Sequence, residues 1–525
     1  MSSNQKSSGP LVSVLMPTYN RPRYLREAIE SVLRQTYPNF EIILVRDGGI
    51  SVSEVVRHFN DPRIIFIDRE QNQGKPYSLN EAIDRAKGKY VCYLDDDDIY
   101  YPNHIEALVS ALEGQAKYQV AYSDLYKAHC RIEPDGRRVV LSKNIEVTRD
   151  FNRMLMLQFN HALHVSLMHR RDLFEKTDKY NEELNVMIDW DMTRRMAFFA
   201  DFVHVHKITG EYYAAVENSD RISIKRRKSI HNCLWNILTI RSTRPAKPWT
   251  KVKDLSLILI AECLNDQVKQ ELLDIWSHSF YPYQIYLPLP QEDLDRLETM
   301  VPNILGVPVS TKSSPEERFD TALRCCEGDY VAILPSDFCL KGNESAWIER
   351  SLKPLMSCDD PDQAFEAVGS TPRCWSAVFK REQIERARRQ YGNLPVRESV
   401  AATGIKLREP RYEEFPFQFD DLVKAAEEVE EKGNWLYASQ IFEYMCEKHR
   451  NELWMKTRWA NALYHAGRYD EALSIAEELN LKRPTVSTLL IEARIHRKRN
   501  DVSLAIEQFE KAEDILQGSE LAWSH

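Results

Sequence analysis

Short apolar runs alternate with amphipathic stretches through the first hundred residues of the chain. Four of these runs have the length of a buried strand: Leu11–Met16, Glu41–Val45, Ile64–Ile67 and Tyr90–Leu94. Apolar residues at helical spacing fill Pro22–Gln35 and Leu79–Ala86 between them. This alternation predicts an α/β fold with a parallel sheet and helices on both faces. Ligands of such sheets bind at the carboxyl ends of the strands, so the polar residues that follow each strand are candidate site residues.

Length, net charge and cysteine spacing argue against several classes of protein. A chain of 525 residues is too long for one core, which predicts several domains. The net charge of −9 argues against nucleic-acid binding, which needs a basic face. The ten cysteines include no C-x-x-C pair, so we expect neither zinc nor a disulfide scaffold, and we expect a reducing compartment. Residues 1–10 are polar and we expect them to be disordered, without a signal-peptide core. The sequence contains no run of 18 apolar residues, so we expect no membrane span.

A second segment, residues 251–412, repeats the first in weaker form. Three stretches match in the same order: Leu255–Ile260 with Val12–Met16, Ala322–Leu334 with Ala82–Leu94, and Trp375–Glu382 with Val165–Asp172. A duplicated α/β domain explains this order better than chance likeness between strands. Leu334 is followed by Pro335, Ser336 and Asp337, where Leu94 is followed by four aspartates. We therefore predict a degenerate copy that serves packing or acceptor binding.

The third segment, residues 413–525, is helical with a period of about 34 residues. Alanines recur in two columns, at positions 426, 460 and 493 and at positions 438, 472 and 505, with turns at Gly433, Gly467 and Asn500. Small residues in step are typical of positions where two helices of a hairpin touch, and the pattern resembles tetratricopeptide repeats. Such repeats stack into a solenoid with a groove for a protein partner. A generic helical bundle would not produce the two alanine columns.

Four adjacent carboxylates, Asp95–Asp98, follow the fourth predicted strand. Adjacent carboxylates repel one another, and a divalent cation removes that cost. Oxygen ligands suit Mn²⁺ or Mg²⁺, and such an ion can stabilise the charge on a leaving nucleotide diphosphate. The alternative is a solvated acidic turn, but the position behind a buried strand favours the metal.

In this context the chain resembles glycosyltransferase family 2, which has the GT-A fold, from about Val12 to Ser223. Six motifs match the family in order: Val12–Asn20, Glu41–Gly49, Asn72–Gly74 with Ser78–Asn80, Ala86–Tyr90, Leu94–Asp98 with Pro102, and Asp189–Asp191 with Arg194 or Arg195. Any one of these motifs is weak, whereas six in order are specific.

The resemblance implies roles for individual residues. Seven residues would contact the donor: Pro17, Tyr19, Asn20, Asp47, Asn72, Gly74 and Asp95. Among these, Asp47 would hydrogen-bond the pyrimidine and Asp95 would contact ribose or metal. The metal would be bound by Asp97 together with Asp95. Asp189 would be the general base, because the acceptor hydroxyl must lose its proton as it attacks. Trp190, Asp191 and Arg221 would lie on the acceptor side or in a lid.

The sequence also departs from the family pattern. Arg46, Leu79 and Ile188 replace residues that are usual there, and Ala215 stands where a metal-ligating histidine is common. His204 and His206 share one face of a predicted strand, Phe202–Ile208, and are either substitute ligands or structural histidines. The basic cluster of Arg221 and Lys225–Lys228 is either a mobile lid, a patch for an anionic acceptor or lipid surface, or a solvated helix face.

Taken together, these features predict three parts: a catalytic GT-A domain over 11–250, the degenerate copy over 251–412, and the repeats over 413–525. The expected enzyme is an inverting glycosyltransferase that moves a hexose or N-acetylhexosamine from a UDP- or dTDP-sugar to a hydroxyl. The acceptor is a glycan, a lipid-linked glycan or a protein. We expect the chain in the cytoplasm or at the inner face of the cell membrane, with the catalytic domain folding independently of the repeats. The alternative is an inactive scaffold that binds partners through the repeats.

Overall fold

The computed structural model describes residues 9–145, 150–216, 230–297, 301–335, 348–367, 375–408, 435–448 and 453–521, with residues 423, 426, 430 and 433. Contacts divide the chain into two compact units. One unit contains residues 1–233 and 419–525, and the other contains residues 234–418. Among the described residues, no helix is both long and apolar enough to cross a membrane.

The strands of the first unit are β1 (Val12–Thr18), β2 (Phe40–Asp47), β3 (Ile64–Arg69), β4 (Tyr90–Tyr93), β5 (Ile99–Tyr100), β6 (Tyr118–Ile132), β7 (Arg138–Ile145), β8 (Leu167–Arg170) and β9 (Asp201–Ala215). Its helices before the second unit are α1 (Pro22–Leu33), α2 (Ser53–Phe59), α3 (Lys75–Arg85), α4 (His104–Gly114), α5 (Arg153–Gln158), α6 (Phe174–Thr177) and α7 (Ile188–Met196). The helix α8 (Ile230–Ser242) leads from this unit into the second one.

The sheet of the first unit has the order β3-β2-β1-β4-β8-β6-β9-β5, and β7 pairs with β6. The strands β1, β2, β3 and β4 are parallel, as the alternation predicts. Leu25, Ala28, Ile29 and Val32 of α1 pack into the core beside this sheet, because their spacing brings them onto one face of the helix. The parallel register places the segments that follow these four strands at one edge of the sheet.

Helix α3 begins at Lys75, four residues before the predicted start at Leu79. Gly74 precedes it with a φ of 105°, a value that favours glycine, and Pro76 occupies the first turn, where the missing N–H costs no hydrogen bond. Because of this early start, Lys75 lies at the same edge of the sheet as the end of β4.

The second unit contains its own sheet. Its strands are β10 (Leu255–Ile260), β11 (Tyr283–Leu289), β12 (Ile304–Pro308), β13 (Tyr330–Pro335), β14 (Gln363–Glu366), β15 (Ala377–Lys380) and β16 (Lys406–Arg408). Its helices after α8 are α9 (Asp266–His278), α10 (Gln291–Leu294), α11 (Pro315–Cys325), α12 (Glu349–Met356), α13 (Arg381–Tyr391) and α14 (Val396–Ala402). The order β12-β11-β10-β13-β15-β14 repeats the order β3-β2-β1-β4-β8-β6 of the first sheet.

A local contact recurs in the two sheets. The Gly88 N–H donates to Ser13 Oγ at 2.9 Å, and the Gly328 N–H donates to Ser256 Oγ at 3.0 Å. A Cβ added to Gly88 would lie 2.6 Å from the backbone nitrogen of Ser13, and one added to Gly328 would lie 2.7 Å from that of Ser256. Both positions therefore require glycine because a neighbouring strand passes too close.

The C-terminal helices of the first unit are α15 (Trp435–Lys448), α16 (Leu453–His465), α17 (Tyr469–Lys482), α18 (Val486–Lys498) and α19 (Val502–Leu521). Each of these helices packs against the next one in the chain. All six alanines of the two sequence columns are buried. The three turn residues share the left-handed conformation, with φ of 73° at Gly433, 79° at Gly467 and 62° at Asn500. The sequence period therefore corresponds to a repeated helix–turn–helix geometry.

The C-terminal helices pack directly on the sheet of the first unit. Val486 and Leu489 of α18 and Ala512 of α19 form one buried cluster with Tyr126 of β6. Beside it, the Arg483 guanidinium forms an ion pair with Asp124, whose side chain is 0% exposed. Removing these helices would expose Tyr126 and leave Asp124 without this cation.

The ion pair predicts a stability effect that can be measured. Arg483→Met should lower the free energy of unfolding by about 3 kcal/mol, because it leaves a buried carboxylate with one fewer partner. Urea unfolding followed by circular dichroism measures this change. Arg499→Met is the control, since the Arg499–Asp470 pair is largely exposed and should contribute less than about 1 kcal/mol. Equal effects of the two variants would contradict the assignment.

Candidate active site

The four adjacent aspartates divide into two pairs. Asp96 Oδ2 accepts hydrogen bonds from Thr18 Oγ1 at 2.7 Å and from the Tyr19 N–H at 3.2 Å. Asp98 Oδ1 accepts the Tyr213 N–H at 3.0 Å, and both side chains are buried. Asp95 and Asp97 are only partly buried and lie at the open edge of the sheet. The outward pair is thus spaced as in a D-x-D motif, and Asp96 holds the turn after β1 in place.

Two basic side chains neutralise the outward pair. Lys75 Nζ lies 2.6 and 2.8 Å from the two oxygens of Asp95. Arg21 Nη1 lies 2.6 Å from Asp97 Oδ2 and 3.2 Å from Asp96 Oδ1. Lys75 and Arg21 are not among the residues expected from the sequence. Their positions, one at the start of the helix after β3 and the other just after β1, are the signal that could have identified them.

Burial and charge shift the titration of these groups. Burial, together with the charge of Asp97, raises the pKa of Asp96 to about 7. Burial also opposes ionisation of Asp95, but the adjacent Lys75 ammonium outweighs it and lowers the pKa of Asp95. Although burial disfavours its charged form, the pKa of Lys75 is raised by the ion pair with Asp95 and by the nearby charges of Asp189 and Asp97. The pair of Lys75 and Asp95 therefore stays ionised near neutral pH.

The carboxylates fit a hard divalent cation. Ligand oxygens of Asp95, Asp97 and Asp98 lie within 4.8 Å of one another, close enough to share one ion. All the donors are carboxylate oxygens, which suit Mg²⁺ or Mn²⁺ better than softer metals. Binding such an ion would displace Arg21 or Lys75 from the carboxylates and release these cations toward a ligand.

The expected donor-binding residues gather at the same edge. Tyr19 is exposed, and Asn20 Oδ1 accepts the Ile50 N–H at 2.8 Å, which joins the turns after β1 and β2. Pro17 lies near the end of β1, and Asn72 and Gly74 follow β3.

Asp47 has a more internal position than expected. Its Oδ1 accepts the Gln73 N–H at 2.8 Å and Arg69 at 3.0 Å, and its Oδ2 accepts the Gly74 N–H at 2.8 Å. Both carboxylate oxygens therefore hold the turn before α3, and the side chain is buried. Both oxygens of Asp47 already accept hydrogen bonds from the protein. Contact between Asp47 and the base of a donor stays a prediction.

Asp189 lies in the first turn of α7 and is partly buried. Asn160 Nδ2 donates to Asp189 Oδ2 at 2.9 Å, which fixes the orientation of the carboxylate. Burial raises the pKa of Asp189 above its ordinary value, and the Lys75 charge partly offsets that effect. The charges of Lys75 and Asp95 both act on the pKa of Asp189, Lys75 lowering it and Asp95 raising it.

Trp190 and Asp191, expected on the acceptor side or in a lid, are both buried. Trp190 is 4% exposed, and its Nε1–H donates to the Met156 carbonyl at 2.9 Å. Asp191 is 1% exposed and forms an ion pair with Arg195 at 2.5 Å. These contacts hold α7 in the fold beside Asp189, and a contact with an acceptor stays a prediction. A tryptophan and an aspartate next to a functional aspartate give no sequence signal that separates these roles.

The histidines of β9 lie apart from the acidic cluster. Ala215 offers no ligand atom, and it pairs across β6 with Cys130. His204 and His206 group with Asp124 and not with the outward aspartates, so neither substitutes for a ligand at Ala215. Arg221 and the cluster Lys225–Lys228 lie outside the described residues.

The second unit has a cavity at the matching edge of its sheet. This cavity of about 530 Å³ lies beyond the ends of β10, β11 and β12 and is lined by Glu262, Asp293, Arg296, Arg318 and other residues. Arg318 Nη1 donates to the carbonyls of Ala261 and Pro288, each at 3.2 Å. The arginine thus joins the strand ends, where the first unit has an open acidic site. Asp337 lies outside the described residues.

The acidic cluster predicts metal binding that depends on Asp97. Asp97→Asn should weaken Mn²⁺ binding at least about tenfold, or roughly 1.4 kcal/mol, because it removes a charged ligand from a site with few donors. Calorimetric titration with Mn²⁺ in the presence of UDP measures this loss without any turnover. Asp172→Asn, at an exposed pair with Arg170, is the control and should bind as the parent chain does. Unchanged affinity of the Asp97 variant would place the ion elsewhere.

Comparison with known proteins agrees with this arrangement. Residues 13–177 match the family described as Glycosyl transferase family 2. An uncharacterized glycosyltransferase of Methanocaldococcus jannaschii is 34% identical over 189 residues, which cover 35% of this chain and 63% of the relative. The putative colanic acid biosynthesis glycosyl transferase WcaA of Escherichia coli is 37% identical over 153 residues, which cover 26% of this chain and 55% of the relative. The match thus spans less than two thirds of either relative.

Among solved structures, residues 1–349 of TarS from S. aureus in complex with UDP-GlcNAc are similar with a TM-score of 0.35. The identity is 18%, and the similarity covers 44% of this chain and 66% of that one. The family match itself covers β1 to β8 and includes the outward aspartates. Residues 13–177, which lie in the first unit, are thus similar to Glycosyl transferase family 2.

Proposed function

We propose that the first unit is an inverting, divalent-metal-dependent glycosyltransferase. It moves a hexose or an N-acetylhexosamine from a UDP- or dTDP-sugar to a hydroxyl of a glycan, a lipid-linked glycan or a protein. One observation carries the proposal: the outward carboxylates Asp95 and Asp97 lie together at the open edge of the sheet, and the charges of Lys75 and Asp95 reach a partly buried carboxylate, Asp189. Transfer needs both kinds of group, one to hold the donor and one to accept a proton.

Asp189 is suited to act as the base. Attack by a hydroxyl on the anomeric carbon requires a positioned acceptor for its proton. Hydrogen bonds from Asn160 Nδ2 and from backbone N–H groups at the start of α7 hold the Asp189 carboxylate in position to receive it. The raised pKa of Asp189 makes the carboxylate a stronger base than an exposed one. A single displacement by the acceptor inverts the configuration and needs no protein nucleophile.

Cationic groups would neutralise the phosphates of the donor. A bound Mn²⁺ or Mg²⁺ would stabilise the charge that develops on the leaving diphosphate. Once released from their carboxylates, Lys75 and Arg21 would be able to neutralise the same phosphates. The exposed edge of Pro17, Tyr19, Asn20, Asn72 and Gly74 would receive the nucleoside, and Asp47 would keep that edge in shape through the turn at Gly74.

The remaining parts bind rather than catalyse. The shared strand order supports the second unit as a degenerate GT-A copy that packs or binds the acceptor. The recurring turn conformations support tetratricopeptide repeats in the C-terminal helices, with a protein partner in their groove. The name of one relative, in colanic acid biosynthesis, favours a polysaccharide acceptor. A site in the cytoplasm or at the inner face of the cell membrane would suit that substrate.

A second candidate is an inactive scaffold. It is favoured by one observation, the ion pairs of Asp95 with Lys75 and of Asp97 with Arg21, which neutralise the acidic cluster without a metal. A scaffold would bind partners through the helices and would neither bind Mn²⁺ nor turn over donor. Incubating the full chain with Mn²⁺ and a panel of nucleotide sugars, and following nucleotide release, separates the two candidates.

Replacing the base should remove turnover but not binding. Asp189→Asn should keep donor affinity and lower kcat by about 10²–10⁴-fold, because a general base contributes that much. Steady-state kinetics and calorimetric donor titration measure the two effects. Glu183→Gln is the control on the same segment, since that side chain is exposed. A loss of less than tenfold, or a product with retained anomeric configuration by NMR, would contradict the mechanism.

The pH dependence has a defined sign. Asp189 acts only when it is deprotonated, and its pKa is raised above the ordinary 3.8. Activity should therefore be lost as pH falls, with the acid limb of kcat/KM above pH 3.8. The residual activity of Asp189→Asn should lack this limb. An unchanged acid limb in that variant would assign the titration to another group.

A further inference from the structure

Two histidines of β9 form a cluster with Asp124 of β6 and with Asp150, apart from the outward aspartates. His204 and His206 lie two residues apart on β9, and their ring centroids are 4.1 Å apart. Asp150 Oδ1 lies 3.1 Å from His204 Nδ1 and 3.0 Å from His206 Nε2. Three side-chain atoms of metal-ligating type thus converge from two separate segments of the chain.

From this geometry we infer a transition-metal site whose ligands are His204, His206 and Asp150. Tetrahedral zinc with bonds of about 2.0–2.1 Å separates neighbouring ligand atoms by roughly 3.3 Å. Asp150 Oδ1 lies 3.1 Å from His204 Nδ1 and 3.0 Å from His206 Nε2, so these two distances need to widen by only a few tenths of an ångström. Two imidazole nitrogens and one carboxylate oxygen suit Zn²⁺ and its neighbours in the transition series, and not Mg²⁺.

A second feature points to a metal independently. The other ring nitrogen of His204, Nε2, bonds to Asp124 Oδ1 at 2.8 Å. Asp124 is fully buried and its second oxygen pairs with Arg483. Metal-ligating histidines almost always donate their remaining N–H to a carboxylate or carbonyl, which fixes the ring and raises its basicity. His204 has this arrangement before any ion is considered, because Nδ1 alone then faces the cluster.

The site would be open on one side. The His206 and Asp150 side chains are 54% and 53% exposed, whereas that of His204 is 2% exposed. An ion could therefore enter from solvent and keep water in a fourth position. Asp150 immediately precedes Phe151, which stacks on Phe202 of β9 at 4.4 Å. The ion would thus fasten this segment to β9, a structural role that does not depend on the proposed transferase activity.

Without a metal, the same groups form a hydrogen-bonded network, with a carboxylate oxygen within 3.1 Å of each ring nitrogen of His204. In the metal-bound form, His204 Nδ1 and His206 Nε2 are ligands and carry no proton. Binding near neutral pH should therefore release protons, while a hydrogen-bonded network takes up no ion at all. The two forms differ in stoichiometry, in spectrum and in proton release.

The test uses the full chain with Asp97→Asn as background, so that the acidic cluster does not contribute. The chelator-stripped protein is titrated with Zn²⁺ and, separately, with Co²⁺, whose visible absorption reports on tetrahedral coordination. We expect one equivalent bound, proton release, and an increase in melting temperature. His206→Ala and Asp150→Ala should each abolish the Co²⁺ absorption, and Asp150→Glu should restore part of it.

The matched control is His58→Ala, at an exposed histidine far along the chain from β9, which should bind as the background chain does. Folding of each variant is checked by thermal unfolding, and His206→Ala should fold because the side chain is half-exposed. Asp124→Asn should weaken binding by about 10–100-fold without removing a ligand. The absence of a bound equivalent, or binding that survives both His206→Ala and Asp150→Ala, would overturn the inference.

Discussion

Four successive carboxylates cannot all be ionised at one place without counter-charge, and the first unit is organised around this constraint. The fold turns Asp96 and Asp98 inward, where backbone N–H groups and a threonine hydroxyl donate hydrogen bonds to their carboxylate oxygens. The other two face outward and meet Lys75 and Arg21. Arg21 follows β1 and Lys75 follows β3. The parallel register of these strands brings both cations to one edge, where they balance the negative charge of the outward aspartates.

Much of this arrangement follows from local sequence. Apolar runs of strand length identify the sheet, and its topology then identifies the edge at which polar residues must gather. The alternation of inward and outward aspartates does not follow, because four identical residues carry no pattern. The burial of Trp190 and Asp191 also could not be predicted, since it depends on partners at Met156 and Arg195. Sequence patterns locate a site more readily than they assign its individual side chains.

The same limit applies over longer distances. The repeat period describes how the C-terminal helices stack on one another, because each repeat contacts its neighbours in the chain. It contains no information about the surface on which the stack rests. That surface is set by Arg483 and Asp124, which are 359 positions apart, and by an apolar cluster around Tyr126. A buried carboxylate in β6 gives no sequence signal for its partner, although its burial requires one.

The glycine that follows the third helix occurs in both sheets, next to a serine of the first strand. In the second unit the sequence after Leu334 reads Pro335, Ser336 and Asp337 in place of the aspartates, yet Gly328 lies as close to Ser256 as Gly88 does to Ser13. Steric exclusion by a passing backbone, and not substrate chemistry, thus explains why this position tolerates no side chain. A glycine at this position therefore reports a close approach of two backbone segments. Its presence in another sheet of this strand order would indicate how the strands pack there, whether or not carboxylates follow the fourth strand.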